Sequence, residues 1–164
     1  MRWSSASKIL EAMDAAWQSF RGGQVPRLEV PWMTRAISGL TDAVRAKDEL
    51  RTRQAAIEAE QRILDLQLRY RPTVDINIAR MGLWTRQLLV DAAARDASAV
   101  NGDVFTLFYM RDRILGALTP GQRTSVNVLI DRLQVAGADH AVGRATAAAS
   151  KLGDLVGRIE AAAA

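Results

Sequence analysis

The 164-residue sequence contains no cysteine and a single histidine, His140. Disulfides, thiolate nucleophiles and cysteine-based zinc sites are therefore excluded, and any histidine-dependent catalysis would have to use His140. Aromatic residues make up only 5% of the chain, and no run approaches the roughly 18 apolar residues that suggest a membrane-spanning helix. Because Glu11, Asp14 and Gln18 interrupt the N-terminal segment, it does not have a signal peptide's apolar region. We expect a cytoplasmic protein, unless a presequence has been removed.

Charge of one sign is not dominant either. The chain has 22 basic and 18 acidic residues and a net charge of +4, and its isoelectric point of 10.1 is high because few groups titrate between about pH 5 and 9. Arginine outnumbers lysine by 19 to 3. Two explanations stay open, namely codon usage in a GC-rich genome and a need for planar, permanently charged groups that bind phosphates. No block of the sequence is strongly basic, so folding would have to assemble any positive surface.

What is abundant is helical periodicity. Apolar residues recur with a helical period in six stretches, at about residues 5–20, 34–69, 73–95, 104–118, 120–136 and 139–160. A loop is expected at 22–31, a weak point at Ser38-Gly39 and a break at 101–103. Thr119, Pro120 and Gln122 form the pattern of a capping box, so a helix should begin there. We predict an all-α bundle of five to seven mostly antiparallel helices, forming one domain over 1–164 with a frayed tail at 161–164.

Five of the 18 acidic residues stand four positions before a basic one, which is the favourable order for ion pairs on a helix surface. The pairs are Glu49 and Arg53, Glu58 and Arg62, Asp65 and Arg69, Asp91 and Arg95, and Asp154 and Arg158. This pattern assigns the acids to solvated helix surface rather than to a metal or catalytic site. His140, just after Gly137, is expected to cap a helix or face solvent. We therefore expect no enzyme activity, no cofactor, no metal and no small-molecule substrate.

Basic residues with no acid three or four positions away are available to another molecule. Together with neighbouring aromatic and paired basic residues, they suggest a nucleic-acid surface made of Arg51, Arg69, Tyr70, Arg71, Arg80, Arg86, Arg111 and Arg113. An aromatic ring beside guanidinium groups, as at Tyr70 and at Tyr109, can stack on bases while arginine holds phosphates. The alternative for both groups is that tyrosine lies at the edge of the core and arginine is solvated.

Other apolar residues suggest contacts with protein partners. Trp32 follows Pro31 in the expected loop, where an aromatic residue is a suitable anchor for a partner. Leu50 and Ile57 are seven residues apart, which indicates a narrow seam between two helices. Leu152 and Val156 belong to a similar seam in the last helix, where alanines permit close approach.

Two family resemblances follow from these features. Leu118 to Arg123, LTPGQR, resembles the LTxxQ motif of the periplasmic Spy/CpxP-like chaperones, and about residues 55–133 would correspond to one of their helical hairpins. The whole chain, as a small, cysteine-free, arginine-rich helical protein, is similar to the small subunit of CRISPR effector ribonucleoproteins. That second resemblance implies a helical bundle that packs beside neighbouring subunits, contacts nucleic-acid phosphates and takes part in antiviral defence.

The functional expectation is a non-enzymatic subunit of a nucleoprotein complex. It would bind the backbone of RNA or single-stranded DNA through arginine without reading bases, and it would pack against other subunits or copies of itself. The alternative is a helical protein–protein scaffold or a chaperone-like protein, and a phage structural or adaptor protein is a third possibility.

Overall fold

The computed structural model describes residues 2–23 and 25–163, and it shows an all-α protein with no strand in those two ranges. Seven α-helices are present in the same residues: α1 Trp3–Phe20, α2 Glu29–Arg45, α3 Glu49–Gln67, α4 Thr73–Ala93, α5 Ala97–Ile114, α6 Pro120–Ala138 and α7 Val142–Ala163. A short 3₁₀ turn, Leu115–Ala117, follows α5. The predicted fold class and number of helices are confirmed.

The chain divides into two compact units, Met1–Arg69 and Tyr70–Ala164, here called the N-terminal and C-terminal units. Each is described by itself. The boundary between Arg69 and Tyr70 falls in the turn before Pro72. The sequence predicts the end of a helix there but no division into units. The expectation of one domain over 1–164 stays a prediction.

The N-terminal unit contains α1, α2 and α3. Its helices pack around a small core in which the main buried side chains are Leu10, Trp17, Met33, Ile37 and Val44. The indole nitrogen of Trp17 in α1 donates a hydrogen bond to the Thr34 hydroxyl in α2 at 3.2 Å. This bond satisfies the one polar atom of a buried ring and fixes the contact between the two helices.

The C-terminal unit is a four-helix bundle. Helix α4 packs against α5 and α7, and α6 completes the bundle by packing against the same two helices. Short connections make successive helices antiparallel. The core is much larger than that of the N-terminal unit, and its fully buried residues include Met81, Leu107, Ile130 and Leu133.

Three of the predicted helix boundaries are wrong. Helix α2 begins at Glu29, inside the expected loop, and the tract 34–69 is two helices separated after Arg45 rather than at Ser38-Gly39. The expected break at 101–103 lies inside α5, which begins at Ala97. Neither Gly39 nor Gly102 has a neighbouring atom within 4 Å of where a Cβ would lie. Both glycines are therefore tolerated in exposed helix positions, at a cost of about 1 kcal/mol relative to alanine.

Helices α2, α4 and α6 end at residues that have a left-handed backbone conformation although they are not glycine. Lys47, Arg95 and His140 have φ angles of 52°, 61° and 51° and follow α2, α4 and α6. Each turn has the same pair of backbone hydrogen bonds, seen after α2 as Lys47 N–H to the Val44 carbonyl and Asp48 N–H to the Ala43 carbonyl. This is the Schellman arrangement, which glycine usually provides. Because the sequence signal for a helix end is glycine, the end of α2 is not marked in the sequence, whereas the ends of α4 and α6 lie within two residues of the predicted 95 and 136.

Other helix ends agree with the sequence or lie close to the prediction. The capping box at α6 is confirmed: the Gln122 N–H donates to the Thr119 hydroxyl, and the Gln122 side chain accepts from the Thr119 N–H at 2.9 Å. Helix α7 begins at Val142 rather than at 139 and continues to Ala163. Residues 161–163 thus belong to α7 and Ala164 lies outside the described residues, and the expected fraying of 161–164 stays a prediction. In the part of the chain that the structure describes, no helix combines the length and the apolar character needed to cross a membrane.

Candidate nucleic-acid interface

The clearest arginine–aromatic group lies at the end of α5. The Arg113 guanidinium donates a hydrogen bond to the Tyr109 hydroxyl at 2.7 Å, and its Cζ lies 4.7 Å from the centroid of the Tyr109 ring. Arg113 and Tyr109 are both exposed. Within the described residues, no carboxylate is in ion-pair contact with Arg113, so its charge is not neutralised locally. The predicted association of Tyr109 with Arg113 follows from their spacing of four on one helix.

Arg111, two residues earlier on the same helix, has a different environment. Its guanidinium lies over the Phe108 ring, 4.2 Å from the centroid, and pairs with the neighbouring Asp112 at 2.8 Å. Most of the Arg111 side chain is covered. The expectation that Arg111 lacks an acidic partner is wrong, because only partners three or four residues away were considered.

The second predicted group includes the residues on either side of the boundary along the chain between the two units. Arg69 ends the N-terminal unit, and Tyr70 and Arg71 begin the C-terminal one. All three are exposed, with Tyr70 at 65%. Arg80 is half-buried in α4. Arg69, which the sequence pairs with Asp65, interacts with another group of the protein, and so do Arg71 and Arg80. Arg71 and Arg80 are therefore not the unengaged cations that the sequence predicted.

Two further predicted residues lie on different helices. Arg51, in the first turn of α3, is exposed, and its backbone N–H donates to the capping carboxylate of Asp48 at 3.0 Å. Arg86, in α4, is exposed and interacts with another group of the chain. Arg144, which has no acid three or four positions away in the sequence, pairs with Asp139 at 2.7 Å across the turn between α6 and α7.

Trp32 lies in the first turns of α2 rather than in a loop, and its ring is 48% exposed. The guanidinium carbons of Arg35 and Arg62 lie 5.2 and 5.3 Å from its centroid. Arg62 is also bound to Glu58 at 2.7 Å and to Asp65 at 3.4 Å. The hydrogen bond with Glu58 raises the pKa of the Arg62 guanidinium, which stays charged. Trp32 is thus already partnered by side chains of its own unit, while part of its ring remains available.

The residues predicted for protein interfaces separate into two classes. Leu50 is 37% exposed and Ile57 half-buried, so both present some apolar surface on α3. Leu152 and Val156 are fully buried in the core of the C-terminal unit. The prediction that they contact another chain is corrected: the seam of α7 is covered by helices of its own bundle.

A buried carboxyl pair in the C-terminal unit was not predicted. Asp103 in α5 is 5% exposed, and Asp91 in α4 is 8% exposed. Burial raises the pKa of Asp103 to about 8, and its hydrogen bond with Asp91 and the negative charges of Asp91 and Asp96 act in the same direction. Asp91 accepts a hydrogen bond from the Gln87 amide at 2.8 Å. Asp103 is therefore protonated at neutral pH and adds no negative charge to its unit.

The structure gives no grouping typical of a metal site in the residues it describes. No cluster of three or more histidine, aspartate or glutamate side chains there could hold a metal ion. His140 is exposed in the left-handed position after α6, consistent with a role in ending that helix.

Sequence reasoning missed Phe105, which is 65% exposed on α5, one helical turn before Tyr109. The spacing of four was visible in the sequence. The predicted break at 101–103 places Phe105 at the very start of a helix, whereas α5 begins at Ala97 and carries Phe105 and Tyr109 on successive turns.

Comparison with known proteins adds no family. No protein-family model matches the sequence, and no curated protein or solved structure is significantly similar to it. The two resemblances stated for the sequence therefore stay predictions.

Proposed function

We propose that the protein is a non-enzymatic subunit of a nucleoprotein complex that binds the phosphate backbone of RNA or single-stranded DNA through arginine. The observation that carries this proposal is the exposed Arg113 beside Tyr109, a cation in contact with an aromatic ring and with no carboxylate in ion-pair contact in the described structure. Such a pair offers free N–H donors for a phosphate and a ring for the adjoining sugar or base. The all-α bundle agrees with the proposed similarity to small subunits of CRISPR effector complexes.

Arg51 supports the same function from α3. It is exposed, and its side chain makes no ion pair with any described residue. By contrast, Arg53, two residues further along α3, is held by Glu49. A cation free of carboxylates can bind a phosphate without first breaking an internal ion pair. Arg51 and Arg53 therefore form a matched pair for a test.

The test compares the salt dependence of binding for the variants Arg51→Gln, Arg113→Gln and Arg53→Gln. We expect Arg51→Gln and Arg113→Gln each to reduce the magnitude of the slope of log affinity against log salt by about 0.7, which is the value for one single-strand phosphate contact. Arg53→Gln should leave the slope unchanged. Fluorescence anisotropy with labelled 15-mers of uridine and thymidine measures the slopes. Identical slopes in wild type and all three variants would overturn the role of these arginines.

A second candidate function, a protein–protein scaffold, is supported by a groove of about 400 Å³ between α6 and α7. Its apolar floor includes the exposed Val135 together with Ala147 and Ala148, and Arg132 and Lys151 stand at its rim. Light scattering at several protein concentrations tests this function. Self-association that is insensitive to salt, without nucleic-acid binding, would favour the scaffold over the nucleoprotein subunit.

A further inference from the structure

Helix α5 has two exposed aromatic rings on its outer face. Phe105 and Tyr109 are 65% and 57% exposed, although the chain has only nine aromatic residues. The inner face of the same helix is complete without them, because Val104, Leu107 and Met110 are buried in the bundle core. The two rings therefore contribute little to packing within the C-terminal unit.

Arg113 extends this row by one more turn, so that ring, ring and cation follow one another at intervals of four residues. Its hydrogen bond to the Tyr109 hydroxyl uses one of the five N–H donors of the guanidinium. The acid beside it, Asp112, is bound to Arg111. The row Phe105, Tyr109 and Arg113 consequently combines two exposed aromatic rings with one positive charge that is not neutralised locally, and the Arg113 guanidinium lies over one face of the Tyr109 ring.

We propose that this row binds two unpaired bases of single-stranded RNA or DNA, which stack on Phe105 and Tyr109 while Arg113 contacts an adjoining phosphate. This proposal rests on the proposed function and specifies its ligand. Side chains four residues apart on a helix are separated by about 5–6 Å at Cβ, whereas successive bases in a duplex are about 3.4 Å apart. Bases that contact both rings must therefore be unstacked from each other, which a single strand permits and a duplex opposes.

The row should not distinguish one base from another. Stacking uses the face of a base, and every base has one, so binding should tolerate changes of sequence. Arg113 would contact the backbone, which is common to all sequences. The row thus confers a preference for single strands over duplexes rather than for one base over another.

The experiment measures the affinity of the full chain for labelled 15-mers of uridine and thymidine and for a 15-base-pair duplex at 50 mM salt. We expect Phe105→Ala and Tyr109→Ala each to weaken binding to the single strands by about 5-fold to 100-fold. The slope against salt should not change, because neither variant removes a charge. Phe105→Tyr and Tyr109→Phe keep a ring and should bind within about 2-fold of wild type.

Val128→Ala is the matched control, since it removes an exposed apolar side chain from the neighbouring helix α6. Circular dichroism verifies that each variant retains its helices. Salt-dependent binding that Phe105→Ala and Tyr109→Ala leave unchanged would overturn the stacking proposal while leaving the backbone proposal intact. A wild-type preference for the duplex, or an equal loss in Val128→Ala, would overturn the stacking proposal as well. Absence of wild-type binding at 50 mM salt would overturn both.

Discussion

The two units are similar in net charge but differ in how they are held together. Each contains eleven basic and nine acidic side chains. All of the largest fully buried side chains belong to the C-terminal unit, whereas the N-terminal unit is centred on a cluster of five buried residues. The stability of the C-terminal unit therefore comes mainly from close packing. The N-terminal unit has fewer buried side chains, and exposed contacts such as those of Trp32 with Arg35 and Arg62 add to its core.

The two units have equal numbers of charged side chains, but their net charges at pH 7 are not equal. In the N-terminal unit, Arg53 and Arg62 are neutralised by acids on α3. In the C-terminal unit Arg111 and Arg144 are paired with acids as well, and Arg113, like Arg51 of the N-terminal unit, has no ion-pair partner among the described residues. The difference between the units is Asp103, which is protonated at neutral pH. At pH 7 the C-terminal unit therefore carries about one more net positive charge. Equal composition does not imply equal capacity to bind an anion.

The largest predicted effect tests the difference in packing. Leu152→Ala empties a fully buried position in the C-terminal unit and should lower the free energy of unfolding by about 4 kcal/mol. Leu10→Ala acts at the edge of the smaller core, where the surroundings can close around the cavity, and should cost about 2 kcal/mol. Urea unfolding followed by far-UV circular dichroism measures both. Equal losses would remove the distinction between the two cores.

The next effect is the pH dependence that Asp103 gives to the C-terminal unit. The pKa of Asp103 is about 8 in the folded protein and about 3.9 in the unfolded chain. The folded state therefore holds one more proton than the unfolded state between these values, and stability falls as the pH rises. From pH 6 to pH 8 the loss should be about 2 kcal/mol.

Asp103→Asn tests this account because an amide keeps the shape of the protonated carboxyl and cannot ionise. The variant should not show the loss of stability between pH 6 and pH 8, while the exposed control Asp131→Asn should behave as wild type. Urea unfolding at a series of pH values gives the result. A wild-type protein whose stability is independent of pH in this range would contradict the assignment.

The smallest predicted effect concerns the left-handed turns, at Lys47 in the N-terminal unit and at Arg95 and His140 in the C-terminal unit. Lys47→Gly and Arg95→Gly should each raise the free energy of unfolding by about 0.5 kcal/mol, because glycine relieves the strain of a positive φ. Ala94→Gly is the control: Ala94 has a φ of −73°, so glycine there should only destabilise. Thermal unfolding at constant pH detects these changes. Destabilisation by both Lys47→Gly and Arg95→Gly would show that these turns are not strained.

Local features of the fold could be predicted from the sequence, and features that depend on distant neighbours could not. The capping box at Thr119 and the pairing of Arg62 with Glu58 involve residues within four positions on one helix. The partner of the α7 seam could not be predicted, since a periodic apolar stripe packs equally well against its own chain or another one. The burial of Asp103 beside Asp91 could not be predicted either, because the two carboxyls lie on different helices.

The central claim is that the protein binds the backbone of single-stranded nucleic acid. The most direct test is the affinity of the wild-type chain for a uridine 15-mer between 50 and 200 mM salt, measured by fluorescence anisotropy. The two phosphate contacts of Arg51 and Arg113 alone should weaken binding about 7-fold over this range, independently of base sequence. Binding that does not change with salt, or no binding at 50 mM, would contradict the claim.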